Sequence, residues 1–376
     1  MNAHARILPL VAAGLLLAGP LHTQGPAPAP QPDSTVDAAT RVQVVDGVLE
    51  ALREAYVFPD KAGEMAAAVR QRMRRGEYDR LTSARAFADS LTSHLRAVSR
   101  DRHLHVFWSR GPLSVPPAPD APPTPQQQVQ RREVGRRANF GFERVERLQG
   151  NVGYLDLRGF YDAEGGAETA AAAMNFLANT DVLIVDVRQN TGGSPDMVQF
   201  LTSYLFGGQP VHLNSLYWRP RDSTDQFWTL PYVPGRRFGP DKKVYVLTSD
   251  RTFSAAEEFT YNLQTRGRAT VVGDTTGGGA HPGGPRKVSD HFGVWVPSGR
   301  AINPVTSTNW EGTGVRPDVP VPTDQALQVA YVAALRDVLA ALADEQRRPG
   351  LERLLAEQQR KLDDMRAAPP AAPSNP

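Results

Sequence analysis

Val244-Tyr-Val-Leu-Thr-Ser-Asp-Arg-Thr-Phe-Ser254-Ala-Ala-Glu-Glu-Phe259 passes from a strand-forming run through a polar turn into a helix start. The stretch Val185-Asp-Val-Arg-Gln-Asn190-Thr-Gly192-Gly193-Ser-Pro-Asp196 repeats that grammar with glycines at the turn. Around these two lie further short runs rich in Val, Ile, Leu and Tyr: Val152–Leu157, Val182–Val187, Val244–Thr248 and Thr270–Val272. Between them, Ala167–Leu177, Asp196–Leu205 and Ala255–Gln264 carry helical composition. Apolar strands alternating with helices predict an α/β core with mostly parallel pairing. Lys287–Ser289 and Gly293–Val296 add an expected hairpin.

On the amino-terminal side, Val36–Val98 has apolar residues at helical spacing. Val44, Val45, Val48, Leu49 and Leu52 form one stripe, and Met65, Val69 and Met73 another. Ser83 is a candidate N-cap for a third helix bearing Phe87, Leu91 and Leu95. Gly111–Gln128 is dominated by Pro, Ala and Gln, a composition for a loop rather than a packed element. Asp324–Glu345 and Leu351–Arg366 read as helices. The expected partition is a leader over 1–24, a flexible spacer over 25–35, a helical bundle over 36–108 and a Pro-rich linker over 109–138. An α/β core over 139–323, carboxy-terminal helices over 324–366 and a disordered tail over 367–376 complete it.

The 376 residues contain no cysteine, which excludes disulfides, thiol nucleophiles, cysteine metal sites and a lipid-modified amino-terminal cysteine. A net charge of +2 gives no electrostatic footprint for nucleic acid. Arg6 followed by the apolar run Ile7–Ala18 and the break at Gly19–Pro20 matches a secretory leader, and the run is short for a bilayer span. The expectation is an exported protein, periplasmic or extracellular, with no integral span in the mature chain.

Four segments could carry chemistry. Ser254 falls at a helix start, where unpaired N–H groups can stabilise an oxyanion. On local grounds it is equally an N-cap, with Glu257 completing a capping box. Gly192 and Gly193 let the backbone approach a ligand, or simply make a tight turn, and the Gly-Lys-Ser/Thr ending of a phosphate loop is missing. His103 and His105, in Asp101-Arg-His103-Leu-His105, are candidate general bases or structural histidines. They are also a possible metal pair, but no carboxylate at helical ligand spacing accompanies them. Glu311 and Asp318, in Asn309-Trp-Glu311-Gly-Thr-Gly-Val-Arg-Pro-Asp318, could orient a base or be solvated turn residues.

In order, these segments are Asp-x-His, a strand ending Asp-x-Arg-x-Asn-x-Gly-Gly, Thr252-Phe-Ser254-Ala-Ala-Glu257, Gly273-Asp-Thr-Thr-Gly-Gly-Gly-Ala280, and Trp310-Glu-Gly-Thr-Gly-Val-Arg-Pro-Asp318. Together, from about Val44 to Val321, they resemble the tail-specific (C-terminal processing) protease family, in the branch of tricorn protease and interphotoreceptor retinoid-binding protein. The resemblance implies a crotonase/ClpP-like spiral core behind a small helical bundle, and no cofactor or metal. It implies Ser254 as nucleophile, His103 as base with His105 the fallback, and Glu311 as the acidic member. Its oxyanion hole would be the N–H of Ala255 with that of Gly192 or Gly193. Three features depart from the family. Arg102 stands where the tricorn type has a serine, no lysine lies between Ser254 and Arg268, and the segment between Trp108 and Phe140 is short for a PDZ domain.

The expected activity is hydrolysis of peptides or unfolded proteins outside the cytoplasm. The alternative is a non-catalytic binding module for apolar ligands or peptides on the same fold. His281, beside Pro282, reads as a loop residue at the rim of the cleft. The sequence leaves oligomeric state open.

Overall fold

The computed structural model describes residues 33–114 and 124–367, so the expected leader, most of the spacer and the tail beyond 367 lie outside the described residues. Three helices come first, α1 (Ala38–Ala55), α2 (Pro59–Arg74) and α3 (Ala84–Ser99). Asp37 caps α1 by accepting the Thr40 N–H at 2.7 Å, and Ser83 caps α3 by accepting that of Ala86 at 3.0 Å. α2 starts on Pro59, whose missing N–H costs nothing at a first helical position. A left-handed Arg100 ends α3, and after a turn the chain enters β1 (His105–Trp108).

Part of the stretch expected as linker is ordered helix. α4 (Pro125–Arg137) is closed by a reciprocal box in which Thr124 and Gln127 each accept the other's N–H. The Pro-rich composition ends at Pro125, and the Gln, Glu and Arg residues beyond it favour helix. Residues 115–123, within that linker, lie outside the described residues.

Next come β2 (Phe142–Leu148), β3 (Val152–Leu157), α5 (Ala163–Leu177), β4 (Val182–Asp186), α6 (Pro195–Ser203), β5 (His212–Trp218), β6 (Ser223–Trp228), β7 (Lys243–Thr248), α7 (Ala255–Thr265) and β8 (Thr270–Gly273). β9 (Gly283–Lys287), β10 (Phe292–Pro297), β11 (Gly299–Ile302), β12 (Val319–Pro320), α8 (Ala326–Ala340) and α9 (Arg348–Ala367) follow.

The main sheet has the order β12-β8-β7-β4-β3-β2, parallel except for the β2 edge. Its strands bury both faces, which is why they read as continuous apolar runs. Leu183, Val185, Val244 and Val246 face α5, α6 and α7, whereas Val182, Ile184, Tyr245 and Leu247 face α8 and α9. The expected α/β core with a helical amino-terminal region is therefore the architecture found. β11-β5-β6 form a small separate sheet, which polar composition hid from the sequence reading.

β9 and β10 form the expected hairpin, but β9 begins earlier and the hairpin pairs with β1. Phe292, Val294 and Val296 of β10 enter the core built by Leu52, Phe87, Leu91 and Leu95. The helical bundle thus shares its core with a segment far along the chain. That packing carries the end of α3, and the turn behind it, to the turn that follows β7. Among the described residues no helix is long and apolar enough to cross a membrane.

Candidate active site

The turns singled out by sequence leave the carboxyl ends of two adjacent parallel strands, β4 and β7, which is where open α/β sheets bind ligands. Asn190 ties them together. Its backbone oxygen accepts the Phe253 N–H at 3.1 Å. Its side chain donates to Leu157 O at 3.0 Å and accepts from the Gly192 N–H at 2.9 Å. Thr252 Oγ1 donates to Val187 O at 2.9 Å, fixing the second turn against the first strand's exit.

Ser254 sits at the tip with φ 55° and ψ −121°, a conformation that a non-glycine residue adopts only under constraint. Its hydroxyl does not cap α7. The Ser254 carbonyl instead accepts the N–H groups of Glu257 and Glu258 at 2.9 and 3.0 Å, while the Glu257 carboxylate accepts the Ser254 N–H at 2.8 Å. The hydroxyl is thereby released toward His103, whose Nε2 lies 3.0 Å from Ser254 Oγ.

Glu257 is fully buried and holds the turn from below. Besides Ser254, it accepts from Thr276 Oγ1 at 2.5 Å and from the N–H groups of Gly278 and Gly279 at 2.6 and 2.8 Å. Burial pushes its carboxyl up, and those four donors pull it back. Sequence reading saw Glu257 only as a capping residue. It also clamps the Gly273–Ala280 loop to the Ser254 turn.

The glycines have separate duties. A Cβ on Gly192, at φ +113°, would stand 2.7 Å from Ser254 Cβ and 3.0 Å from Ala255 N. On Gly193, at φ +139°, it would stand 1.9 Å from Phe160 O. The Gly192 N–H is taken by Asn190, which removes Gly192 from the expected oxyanion donors. The N–H groups of Gly193 and Ala255 make no hydrogen bond among the described residues, and both residues line the pocket that Ser254 borders.

His103 lies in the turn before β1, not in the strand, and its N–H donates to Asp101 Oδ1 at 3.0 Å. Its ring packs on Phe253 with centroids 4.6 Å apart. Burial, opposed by the Asp101 carboxylate, pulls its pKa down to about 4, with His281, His105 and Arg96 adding to the depression. The ring is therefore neutral near pH 7 and able to accept a proton. His105 does not contact Ser254. Its Nδ1 bonds His103 O at 2.8 Å and its ring stacks near-parallel on Trp295.

Behind His103 lies a buried acidic cluster. Asp101 Oδ2 accepts from Tyr56 OH at 3.2 Å and from His281 Nδ1 at 2.9 Å. Glu311 Oε2 lies 3.5 Å from the same His281 nitrogen and accepts the Ala280 N–H. The expectation for His281 is corrected here: it is buried against Phe58 and paired with two carboxylates. Burial and the neighbouring Asp101 charge push Glu311 up to about 7, against the pull of His281. Glu311 Oε1 and His103 Nδ1 are both buried and without hydrogen-bond partners among the described residues. One atom from each of Asp101, His103 and Glu311 lies within 4.8 Å of the others. Arg102 bridges none of them. It donates to Gly277 O at 2.6 Å and covers Phe253.

A cleft of about 1100 Å³ opens over Ser254 and His103, lined also by Phe160, Trp295 and by Gln127, Gln130 and Arg131 of α4.

Two family models match the chain: the N-terminal domain of Peptidase S41 in eukaryotic IRBP over residues 38–139, and Peptidase family S41 over residues 151–321. Among solved structures, a candidate peptidase from Parabacteroides merdae is similar at 18% identity and TM-score 0.55, over 81% of this chain and 99% of that one. A lipoprotein from Streptococcus agalactiae is similar at 15% identity and TM-score 0.53, over 78% and 96% respectively. At such identities the structures speak for the fold alone. The family matches, falling on the helical region and on the sheet that carries both turns, show that this chain belongs to peptidase family S41 and is a serine-type peptidase.

Proposed function

We propose that Ser254 is the nucleophile, His103 its general base and Glu311 the carboxylate that orients the base. The observation that carries this is the 3.0 Å contact between His103 Nε2 and the hydroxyl of Ser254, a residue held at positive φ at the start of α7. The substrate carbonyl carbon forms a bond with Ser254 Oγ as the hydroxyl proton passes to His103 Nε2. The oxyanion then accepts from the Gly193 and Ala255 N–H groups, which the fold leaves unspent. His103 returns the proton to the leaving amine, and water attacks the acyl-enzyme by the same route. For Nε2 to accept, the neutral imidazole carries its proton on Nδ1. On this reading the unpartnered Glu311 Oε1 is its acceptor, a carboxylate oxygen of Glu311 lying within 4.8 Å of a ring nitrogen of His103.

The substrate is an extended peptide or an unfolded segment, which the open cleft favours over a folded surface. The charged and apolar pattern of Arg6 and Ile7–Ala18 supports action outside the cytoplasm.

The test is labelling with a fluorophosphonate, with and without chelator, in wild type, Ser254→Ala and His103→Ala. Labelling of wild type alone, indifferent to chelator, is the expected result. Labelling that survives Ser254→Ala would remove the nucleophile. Activity lost to chelator would point instead to a cation among Asp101, His103 and Glu311.

A further inference from the structure

Beside Ser254 a second, smaller pocket of about 50 Å³ runs inward from the cleft. Ser254, Ala255 and Gly193 form its mouth, and Leu216, Ala301 and Trp310 give it apolar walls. One turn beyond Ser254 on α7, Glu258 reaches the same space. Glu258 is only 6% exposed, and the side-chain amides of Asn214 and Asn262 are its hydrogen-bonding neighbours, at more than ordinary hydrogen-bond length. Asn214 and Asn262, both fully buried, lie beside it. Neither Nδ2 nor Oδ1 of Asn214, nor Nδ2 of Asn262, has a hydrogen-bond partner.

The contrast with the preceding residue is informative. Glu257 is equally buried and spends its carboxylate on four donors, as a structural carboxylate does. Glu258 and its two amides make only long contacts with one another, beside a pocket that Ser254 also lines. A buried polar group in that state calls for a further partner, a ligand or an ordered water.

We propose that this pocket receives the substrate side chain on the acyl side of the scissile bond (P1). Glu258 makes it select a short side chain with a hydrogen-bond donor, serine or threonine. The proposal rests on Ser254 being the nucleophile. A water needs roughly 10–15 Å³ on this measure, so the pocket holds a few non-hydrogen atoms and excludes aromatic or long basic side chains. A hydroxyl can donate to Glu258 while its carbon atoms meet Leu216 and Ala301. An aspartate would set one carboxylate against another in a dry site. Burial holds the Glu258 carboxyl up at about 7, with Asp196 adding to the rise and Asn214 and Asn262 opposing it.

The experiment compares peptides identical except at P1, as Thr/Val, Ser/Ala, Asp/Asn, Lys and Phe, on wild type and Glu258→Gln. Ser254 is titrated with a fluorophosphonate in parallel. In wild type, kcat/KM is expected to favour Thr over Val and Ser over Ala by about tenfold, the worth of one hydrogen bond to a charged group. Lys, Phe and Asp are expected to be poor. Glu258→Gln is expected to raise Asp relative to Asn by about tenfold, each rate being normalised to the fraction of Ser254 that the fluorophosphonate titrates. Equal rates for Thr and Val in wild type, or a preference for Lys or Phe, would overturn the proposal even if the variant does not fold. So would an unchanged Asp/Asn ratio in folded Glu258→Gln. Wild type that labels but shows a flat P1 profile removes this inference alone, whereas wild type that does not label removes the nucleophile and the pocket together.

Discussion

His103 Nε2 and Ser254 Oγ meet at 3.0 Å across 151 positions of sequence, and the same imidazole has a nitrogen within 4.8 Å of the Asp101 and Glu311 carboxylates. Two groups of this pair of layers titrate in opposite directions. Burial brings His103 down to about 4, and burial beside Asp101 lifts Glu311 to about 7. As base, His103 must be neutral, which holds above about 4. As orienter, Glu311 must be ionised, which holds above about 7. kcat/KM is therefore expected to be greatest above pH 7, to fall partway as Glu311 takes up a proton, and to vanish as His103 does. Glu311→Gln should lower the plateau and erase the upper step, leaving only the step near 4 in a pH–rate profile. One ordinary histidine step near 6.5 in both proteins would contradict the assignment.

The same two shifts bear on stability with opposite sign. Glu311 is raised on folding, so its contribution is fully present below the ordinary carboxylate range and is lost as pH rises through about 7. His103 is depressed, so its contribution is present above the ordinary histidine value and is lost as pH falls toward 4. Chemical denaturation of His103→Ala at pH 8 and pH 5 isolates the second effect. The variant is expected to lose less stability with falling pH than wild type.

The sequence offers His103 as base with His105 as fallback, and substitution separates them. His103→Ala is expected to lower kcat by about 10³-fold or more, the scale for removing a triad base. His105→Phe keeps an aromatic ring against Trp295 and is expected to change kcat by less than about tenfold, because no contact of His105 reaches Ser254. Steady-state kinetics on one peptide substrate decides it.

The two strand–turn–helix passages at 185–196 and 244–259 were legible because each completes its pattern within a few residues. Glycine, proline and the switch from strand to helix periodicity are local signals. What stayed hidden was set by contacts between distant segments. Gly192 and Gly193 look alike in sequence, and only the Asn190 side chain decides that one N–H is spent. His281 beside Pro282 reads as a rim loop until Asp101, 180 positions away, pairs with it. The shared core of the helical bundle with β10 has the same origin, since Val294 and Val296 advertise burial without saying against what.

Gly192→Ala tests how tightly the two turns are set. The new methyl would fall 2.7 Å from Ser254 Cβ, at a backbone φ of +113° that alanine avoids. Displacing Ser254 by a fraction of an ångström moves it off both His103 and the oxyanion donors. The expected loss is about 10²-fold in kcat, with about 1–3 kcal/mol of stability lost to strain. Parallel kinetics and denaturant melts check both, and unaltered kcat would mean that the turns are looser than their contacts imply.

Glu257→Gln is the most demanding substitution, because it changes one oxygen to an amide nitrogen among four donors. Ser254 N–H, Gly278 N–H, Gly279 N–H and Thr276 Oγ1–H all point at the carboxylate. Each oxygen accepts from two of them, so an inserted NH₂ faces two donors that lose their acceptor. The expected cost is about 3 kcal/mol, the sum of an unmade charged hydrogen bond and a stranded group. Because the clamp spans the nucleophile turn and the 273–280 loop, loosening it frees Ala280, whose N–H holds Glu311. Activity should thus fall further than stability accounts for, and the upper pH step should shift as Glu311 loses that donor and moves higher. A melt shifted by the expected amount, with kinetics and pH profile of wild type, would reduce Glu257 to a helix cap and nothing more.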